Sequence, residues 1–319
     1  MNSFFYNYLR SMRLYYCFVT GTTVLWGFLL GRGSRTPKNT FHLHSPLSIG
    51  VLIAVGFLAW GVNQIISDYL DRKEDAINAP HRPMVTGALK PCPALLLSAC
   101  LLAVLAAASA WVSVWTLPVL VFGALLNAAY SWLKKIPVLN CLVYALAISC
   151  CTVYGYTGER NCLPDAGSVL VMFFYIVPIH FLMCHNSYYK DVVGDRATGV
   201  HTLQTCFPTW VSLTVSLVLF ALHAALAIAF FVTLIDAGST HVMLGCFAVH
   251  LALLVLLCWM HTRCLLARNY HRATRLHCEL CVAMLYTFLL AYHHLLLLSE
   301  VLSLLAIEAL FLWYRDEKE

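Results

Sequence analysis

Long apolar runs alternate with short polar stretches along almost the whole chain. About 20 apolar residues cross a bilayer as a helix. On that length the pattern predicts nine spanning helices, at roughly 14–31, 47–67, 93–112, 114–133, 138–157, 167–187, 209–235, 241–262 and 279–302. The third and fourth runs nearly touch, and the last can be continued through Trp313. Once these spans are placed, no stretch remains for a soluble domain. The expectation is an all-α polytopic membrane protein forming one domain over residues 1–319. Residues 1–13 carry aromatics with Arg10 and Arg13 and pass straight into apolar sequence. They read as an interfacial helix leading into the first span, not as a cleavable signal.

Composition supports this reading. The chain is 61% hydrophobic and 11% charged, where a soluble domain carries roughly 25% charged residues. The net charge of +5 is spread over loops, so no basic stripe suggests nucleic-acid binding. The basic residues also orient the loops. Of 20 Lys and Arg, only Arg32, Arg35, Lys38, Arg160, Arg315 and Lys318 fall on the side away from the N-terminus. The positive-inside rule then predicts a cytoplasmic N-terminus. The 14 Cys and 14 His are scattered. The Cys read as small buried hydrophobes and most of the His as packing residues. One CxxC, Cys278-Glu-Leu-Cys281, lies near His271 and His277, but no second ligand pair has metal-site spacing.

Two acidic segments stand out against this background: Asp68-Tyr-Leu-Asp71-Arg-Lys-Glu74-Asp75 and, about 120 residues on, Asp191-Val-Val-Gly-Asp195. They hold six of the 15 acidic residues. Each follows an even-numbered span, so both are expected on the cytoplasmic face. Each contains two Asp four apart, which on a helix share one face. Clustered carboxylates beside a bilayer repel one another unless a cation joins them. Hard oxygen ligands suit Mg²⁺, which binds through a few carboxylates together with substrate phosphates. The shared position of the two motifs also hints at an internal duplication, although no wider similarity links the halves.

A prenyl diphosphate fits such a place, with an apolar tail between helices and an anionic head at the mouth. Ionising its C–O bond leaves an allylic cation, which aromatic faces stabilise. Basic partners for the head are Arg82, Lys134, Lys135 and Lys190. Each is alternatively an ordinary topology residue, and Arg82 alternatively pairs with the first Asp loop. Asn63 lies one turn before Ser67 and Asp68. It is a candidate metal-water or phosphate ligand, or a helix–helix hydrogen bond.

At these residues the chain resembles the UbiA superfamily of intramembrane prenyltransferases. Asp68 to Leu89 is similar to the family's first motif, with its Asp series, an Asn and a Pro, and the Arg82-Pro-Met-Val-Thr-Gly87 turn. Asp191 to Leu203 is similar to the second, and Tyr130 to Lys135 to a weaker third. The resemblance implies nine helices around a central cavity. It also implies a Mg²⁺–diphosphate site built on Asp68, Asp71, Asp75, Asp191 and Asp195, and transfer of the prenyl group to an acceptor, often aromatic. Substrate-binding roles are expected for Asn63, Arg82, Tyr130, Lys134, Lys135, Tyr188 and Lys190. Two departures matter: Ser67 replaces the usual Asn, and Tyr188 replaces an Asp present in many members. A UbiA-type terpene cyclase would ionise the same diphosphate without an acceptor. A transporter is a more remote alternative, because transporters place acidic residues near mid-membrane and these lie at span ends.

Overall fold

A computed structural model of the chain describes residues 3–33 and 45–314, the side chain of Ser131 apart. Among these residues the fold is all helical. A short helix, α1 (Phe4–Ser11), and a 3₁₀ turn (Leu14–Tyr16) lead into α2 (Cys17–Gly33). Then come α3 (Pro46–Leu70), the short α4 (Arg72–Asn78), α5 (Pro91–Val112), α6 (Thr116–Leu133), α7 (Leu139–Arg160) and α8 (Ala166–Ser187). The short α9 (Val192–Thr198) and α10 (Leu203–Cys206) precede α11 (Thr209–Asp236), α12 (His241–Leu266), α13 (Tyr270–Leu289) and α14 (Leu296–Trp313).

Helix starts follow local chemistry. Ser45 accepts from the Ser48 N–H at 3.2 Å, with Pro46 at the first helical position of α3. Asp165 accepts from the Ser168 N–H at 3.0 Å to cap α8. Packing in the bundle relies on small residues. A Cβ on Gly27 of α2 would lie 1.9 Å from the Thr152 carbonyl of α7, and one on Gly155 of α7 would lie 2.1 Å from the Val24 carbonyl. The two backbones therefore touch, which sets α2 against α7 with no side chains between them.

Eight helices are long and apolar enough to cross a membrane, and α6 adds the shorter apolar stretch Thr116–Tyr130. The expected nine is thus an approximate count. The predicted run 279–302 straddles the end of α13 and the start of α14. Residues 290–295 contain neither Pro nor Gly, so nothing in the pattern marks the break. The first half of α13 carries Arg272, Arg275, His277 and Glu279. These dilute its apolar signal, although nearly all of the helix from Leu276 onward is buried.

The end of α14 returns to α1. The Tyr314 hydroxyl donates to the Leu9 carbonyl at 2.9 Å and accepts from the Leu14 N–H at 3.3 Å, and Tyr15 stacks on Phe311 at 4.0 Å. Tyr314 therefore lies at the N-terminal end of the bundle. The neighbouring Arg315 and Lys318 had been expected on the opposite side. They lie outside the described residues, as do Arg35 and Lys38.

Candidate active site

The two Asp motifs fold into matching pieces. Asp71 caps α4 and Asp191 caps α9, at nearly the same backbone angles (φ −91°, ψ 10° and φ −98°, ψ 1°). Four residues on, the Asp75 N–H donates to the Asp71 carbonyl at 2.8 Å, and the Asp195 N–H to the Asp191 carbonyl at 3.0 Å. Each pair thus spans one helical turn, as the spacing required. The two short helices are tied together across the chain, with the Gly194 N–H donating to Asn78 Oδ1 at 2.8 Å. A Cβ on Gly194 would lie 2.4 Å from that oxygen, so the glycine of the second motif permits this close approach.

Between the helices opens a cavity of about 480 Å³. Asp71, Glu74, Asp75, Asp191 and Asp195 line its mouth with Arg82, Lys134 and Lys190. Asn63, Tyr130 and Tyr188 also face it. Two predicted site residues do not line it. Asp68 is buried behind the wall and Lys135 is exposed. The Tyr130-to-Lys135 segment therefore contributes Lys134 to the site, and Lys135 points to its surroundings. The reason is geometric: consecutive residues at a helix end point about 100° apart, so only one of the two can face inward.

Each carboxylate cluster is matched by cations. Lys134 pairs with Asp71 and lies 3.6 Å from Glu74, Arg82 pairs with Asp75, and Lys190 pairs with Asp191 at 2.8 Å. Arg13 lies 2.5 Å from Asp68, which also accepts from Gln64 at 3.1 Å. Burial still pushes the Asp71 and Asp75 carboxyls up, against the pull of Lys134 and Arg82 respectively. Burial, reinforced by the charge of Asp191, pushes Asp195 up to about 7. Its Oδ2 is buried without a hydrogen-bond partner.

The sequence reading missed Arg13, Gln64, Asn78 and Asn127. Arg13 entered it only as a topology charge. It adopts the left-handed conformation (φ 46°, ψ 61°) at the step from α1 into the 3₁₀ turn, a backbone state that costs an ordinary residue about 1–2 kcal/mol. That step brings its guanidinium to Asp68 and the cavity wall. Asn63 meets Asn127, whose amide donates to it at 3.3 Å. The helix–helix reading of Asn63 therefore holds, while the residue also faces the cavity. Tyr188, at the place of a family Asp, has its hydroxyl 2.7 Å from that of Tyr130.

The donor set fits Mg²⁺: oxygen ligands only, six carboxylates facing the four cations Arg13, Arg82, Lys134 and Lys190, and a buried carboxylate oxygen at Asp195 without a partner. Among the described residues no three acidic, His or Cys side chains already converge as a metal cage. The basic partners hold the carboxylates apart. Mg²⁺ is commonly bound through one or two carboxylates and substrate phosphates, so a full protein cage is not required.

Below the mouth the wall turns aromatic. Tyr16 and Trp60 lie 5.3 Å apart between ring centres, Trp60 and Tyr144 6.0 Å, and Tyr144 and Tyr130 5.7 Å. Deeper still come Val24, Val55, Leu102, Leu105 and Val119. From Ser67 to Val55 along α3 is about 18 Å at 1.5 Å per residue. The cavity thus joins a charged mouth to an aromatic neck and an apolar floor.

Comparison with known proteins agrees with this architecture. The UbiA prenyltransferase family model matches residues 20–289. The digeranylgeranylglyceryl phosphate synthase of Natronomonas pharaonis is 29% identical over 162 residues, which is 50% of this chain and 57% of that protein. The chain spans a little over half the length of the curated relatives it matches first. The apo structure of a UbiA homologue from Aeropyrum pernix K1 superposes with a TM-score of 0.66 at 17% identity, covering 86% of this chain and 96% of that one. A UbiA homologue from Archaeoglobus fulgidus, solved bound to DMAPP and Mg²⁺, gives 0.55 at 17% identity, covering 88% and 99%. Both structural likenesses show the shared fold. With its many apolar helices, this is an integral, multi-pass membrane protein. The chain belongs to the UbiA prenyltransferase family.

Proposed function

We propose that this chain ionises an isoprenyl diphosphate at its Asp-lined mouth and passes the prenyl group to an acceptor. The observation that carries this reading is the convergence of two matching Asp–helix units, distant in sequence, on one cavity with an aromatic neck and an apolar floor. The Archaeoglobus homologue, solved with DMAPP and Mg²⁺, supports the substrate class. When bound through Asp71, Asp75, Asp191 and Asp195, Mg²⁺ supplies Lewis-acid stabilisation of the leaving diphosphate.

The chain's own residues do the rest. Arg82, Lys134 and Lys190 turn from their carboxylates to the diphosphate oxygens, and Arg13 joins them from the end of α1. Asp68, buried between Arg13 and Gln64, holds that arginine in place. The rings of Tyr16, Trp60 and Tyr144 face the developing allylic cation, which aromatic faces stabilise without adding to it. Apolar side chains of α3, α5 and α6 keep water from the tail. We read residues 1–319 as one such membrane domain, with the N-terminus and both Asp loops in the cytoplasm.

Purified protein incubated with C10, C15 and C20 diphosphates and Mg²⁺, without acceptor, tests the reading. Slow release of diphosphate is expected from at least one of them. A cyclic hydrocarbon product would mean an intramolecular cyclase instead. No release from any of the three would overturn the substrate class. Labelling of single Cys variants at Glu74 and Thr198 tests the orientation: both should react from the cytoplasmic side, and reaction from opposite sides would refute it.

A further inference from the structure

Arg13 reaches the cavity wall by a step that its own backbone disfavours. Its left-handed conformation (φ 46°, ψ 61°) lies between the end of α1 and the 3₁₀ turn. Residues with a Cβ avoid that state because it crowds the following carbonyl. The step also breaks the helical frame, so the Leu14 N–H has no carbonyl acceptor among the described residues. One hydroxyl from the far end of the chain answers it. Tyr314 Oη accepts from the Leu14 N–H at 3.3 Å and donates to the Leu9 carbonyl at 2.9 Å, bridging the chain on both sides of Arg13. The Leu9 carbonyl also receives the Met12 N–H at 3.2 Å, so it is the Leu14 donor that depends on Tyr314. The phenol is 3% exposed, and its ring meets Tyr15 edge-on at 5.4 Å. The body of α1 is docked without it. Asn7 Nδ2 donates to the Ala88 carbonyl at 3.2 Å, and the Tyr8 hydroxyl lies 2.7 Å from that of Ser98. Loss of the Tyr314 hydroxyl therefore leaves α1 in place and acts on the step alone. Orphaning a shielded donor costs about as much as the left-handed state itself, so this one hydroxyl is enough to decide whether the step is kept.

We propose that Tyr314 is the positioning residue for Arg13, holding the left-handed step that delivers the guanidinium to the mouth. This rests on the prenyl-diphosphate reading above, in which Arg13 joins the grip on the diphosphate. Leu14 and Tyr314 lie 300 positions apart, so the end of α14 sets the reach of a residue at the end of α1. Tyr314 does not line the cavity, and it acts there through Arg13 alone. At rest the guanidinium lies 2.5 Å from Asp68. It meets phosphate oxygens as a planar fork, and that recognition depends on where the fork is held. With the step freed, Arg13 points at the mouth only part of the time, and affinity for the anion falls by that fraction.

Inorganic diphosphate with Mg²⁺ is the probe, titrated calorimetrically into the purified full chain. A charge-assisted hydrogen bond contributes roughly ten- to a hundredfold in affinity. Arg13→Gln should weaken binding by about that factor while still offering Asp68 a donor. Tyr314→Phe, which keeps the ring against Tyr15, should weaken it by at least about threefold and by no more than Arg13→Gln does. Combined with Lys134→Ala, Tyr314→Phe should lose the same factor again. Combined with Arg13→Gln it should lose nothing further, because residues that act through one another do not add. No loss from Tyr314→Phe alone, or an equal loss with Arg13 already replaced, would overturn the assignment and leave the prenyl-diphosphate reading standing. Hydrogen exchange gives a reading that needs no second substitution. In the Tyr314→Phe protein, residues 13–16 should lose protection while the body of α14 keeps it. Protection lost along α14 would mean a general packing role and would equally overturn the proposal. If the parent protein binds no diphosphate in the presence of Mg²⁺, the prenyl-diphosphate reading fails, and this proposal with it.

Discussion

Two regions of this molecule bury carboxylates in a membrane bundle, and they do so for different ends. At the mouth, five carboxylates and four cations line an open cavity, with Asp68 behind the wall against Arg13. In the α11–α14 half, Glu300 is wholly buried, with His250 Nδ1 2.9 and 3.0 Å from its two oxygens. The chain continues: His250 Nε2 lies 3.0 Å from the Thr287 hydroxyl, which lies 3.1 Å from His223 Nε2. Both Glu300 oxygens, both His250 nitrogens, the Thr287 hydroxyl and His223 Nε2 have partners, four helices are joined, and none of the four residues lines the cavity. A satisfied network rigidifies a core. A mouth with more carboxylates than cations, a partnerless Asp195 oxygen and a cavity is unfinished, and a metal-bound anion would finish it. Intramembrane ionisable groups are often taken as functional by default. Here the accounting of partners separates a site from a clasp.

The comparison is sharpest at the Asp residues. Asp71→Ala and Asp191→Ala should each lower turnover by about a thousandfold or more, since leaving-group stabilisation by a metal is worth several kcal/mol. Thermal stability should change little, because both carboxylates are partly exposed. Turnover near the parent level in either variant would remove that residue from the site. Chelation with EDTA should abolish diphosphate release and added Mg²⁺ should restore it. Release that persists in excess chelator would break the metal half of the argument.

A smaller effect separates the two adjacent lysines. Charge-assisted hydrogen bonds contribute about 1.5–3 kcal/mol, so Lys134→Ala should lower kcat/KM roughly ten- to a hundredfold. Lys135→Ala should stay within about twofold, as an exposed residue away from the cavity. Equal losses would mean that both reach the substrate. The far region should show the opposite profile. His250→Ala leaves Glu300 buried without its partner, a change that costs about 3–5 kcal/mol when the pair is charged. The unfolding midpoint should fall while turnover per folded molecule holds. A folded His250→Ala protein that no longer turns over would break the comparison outright.

Much of the mouth could be read in one dimension. Asp71 with Asp75, and Asp191 with Asp195, declare their spacing within five residues, and a helical turn converts that spacing into geometry. The adjoining Arg82 and Lys190 are legible for the same reason. Arg13 was not, because its role depends on a left-handed step that no neighbouring Gly or Pro announces. Lys134 and Lys135 are indistinguishable in sequence, since only the end of α6 decides which one turns inward. The split between α13 and α14 was hidden because residues 290–295 carry no Pro or Gly to mark it, and the start of α13 because Arg272, Arg275, His277 and Glu279 dilute its apolar signal. His277 reads in the sequence as one of 14 dispersed histidines, with nothing local to mark it as a cavity residue.

The sequence by itself determined the class of the protein, the apolar runs that become its helices, and the two acidic turns. Each of these rests on hydropathy or on contacts within one helical turn, and such interactions are set by residues close in the chain. Only the tertiary structure decided that the two turns face each other, that Gly194 lets Asn78 join them, that Asp68 sits behind the wall, and that a single histidine from α13 reaches the cavity. Those outcomes depend on which helices pack side by side, and residues more than 100 positions apart carry no local signal of that choice.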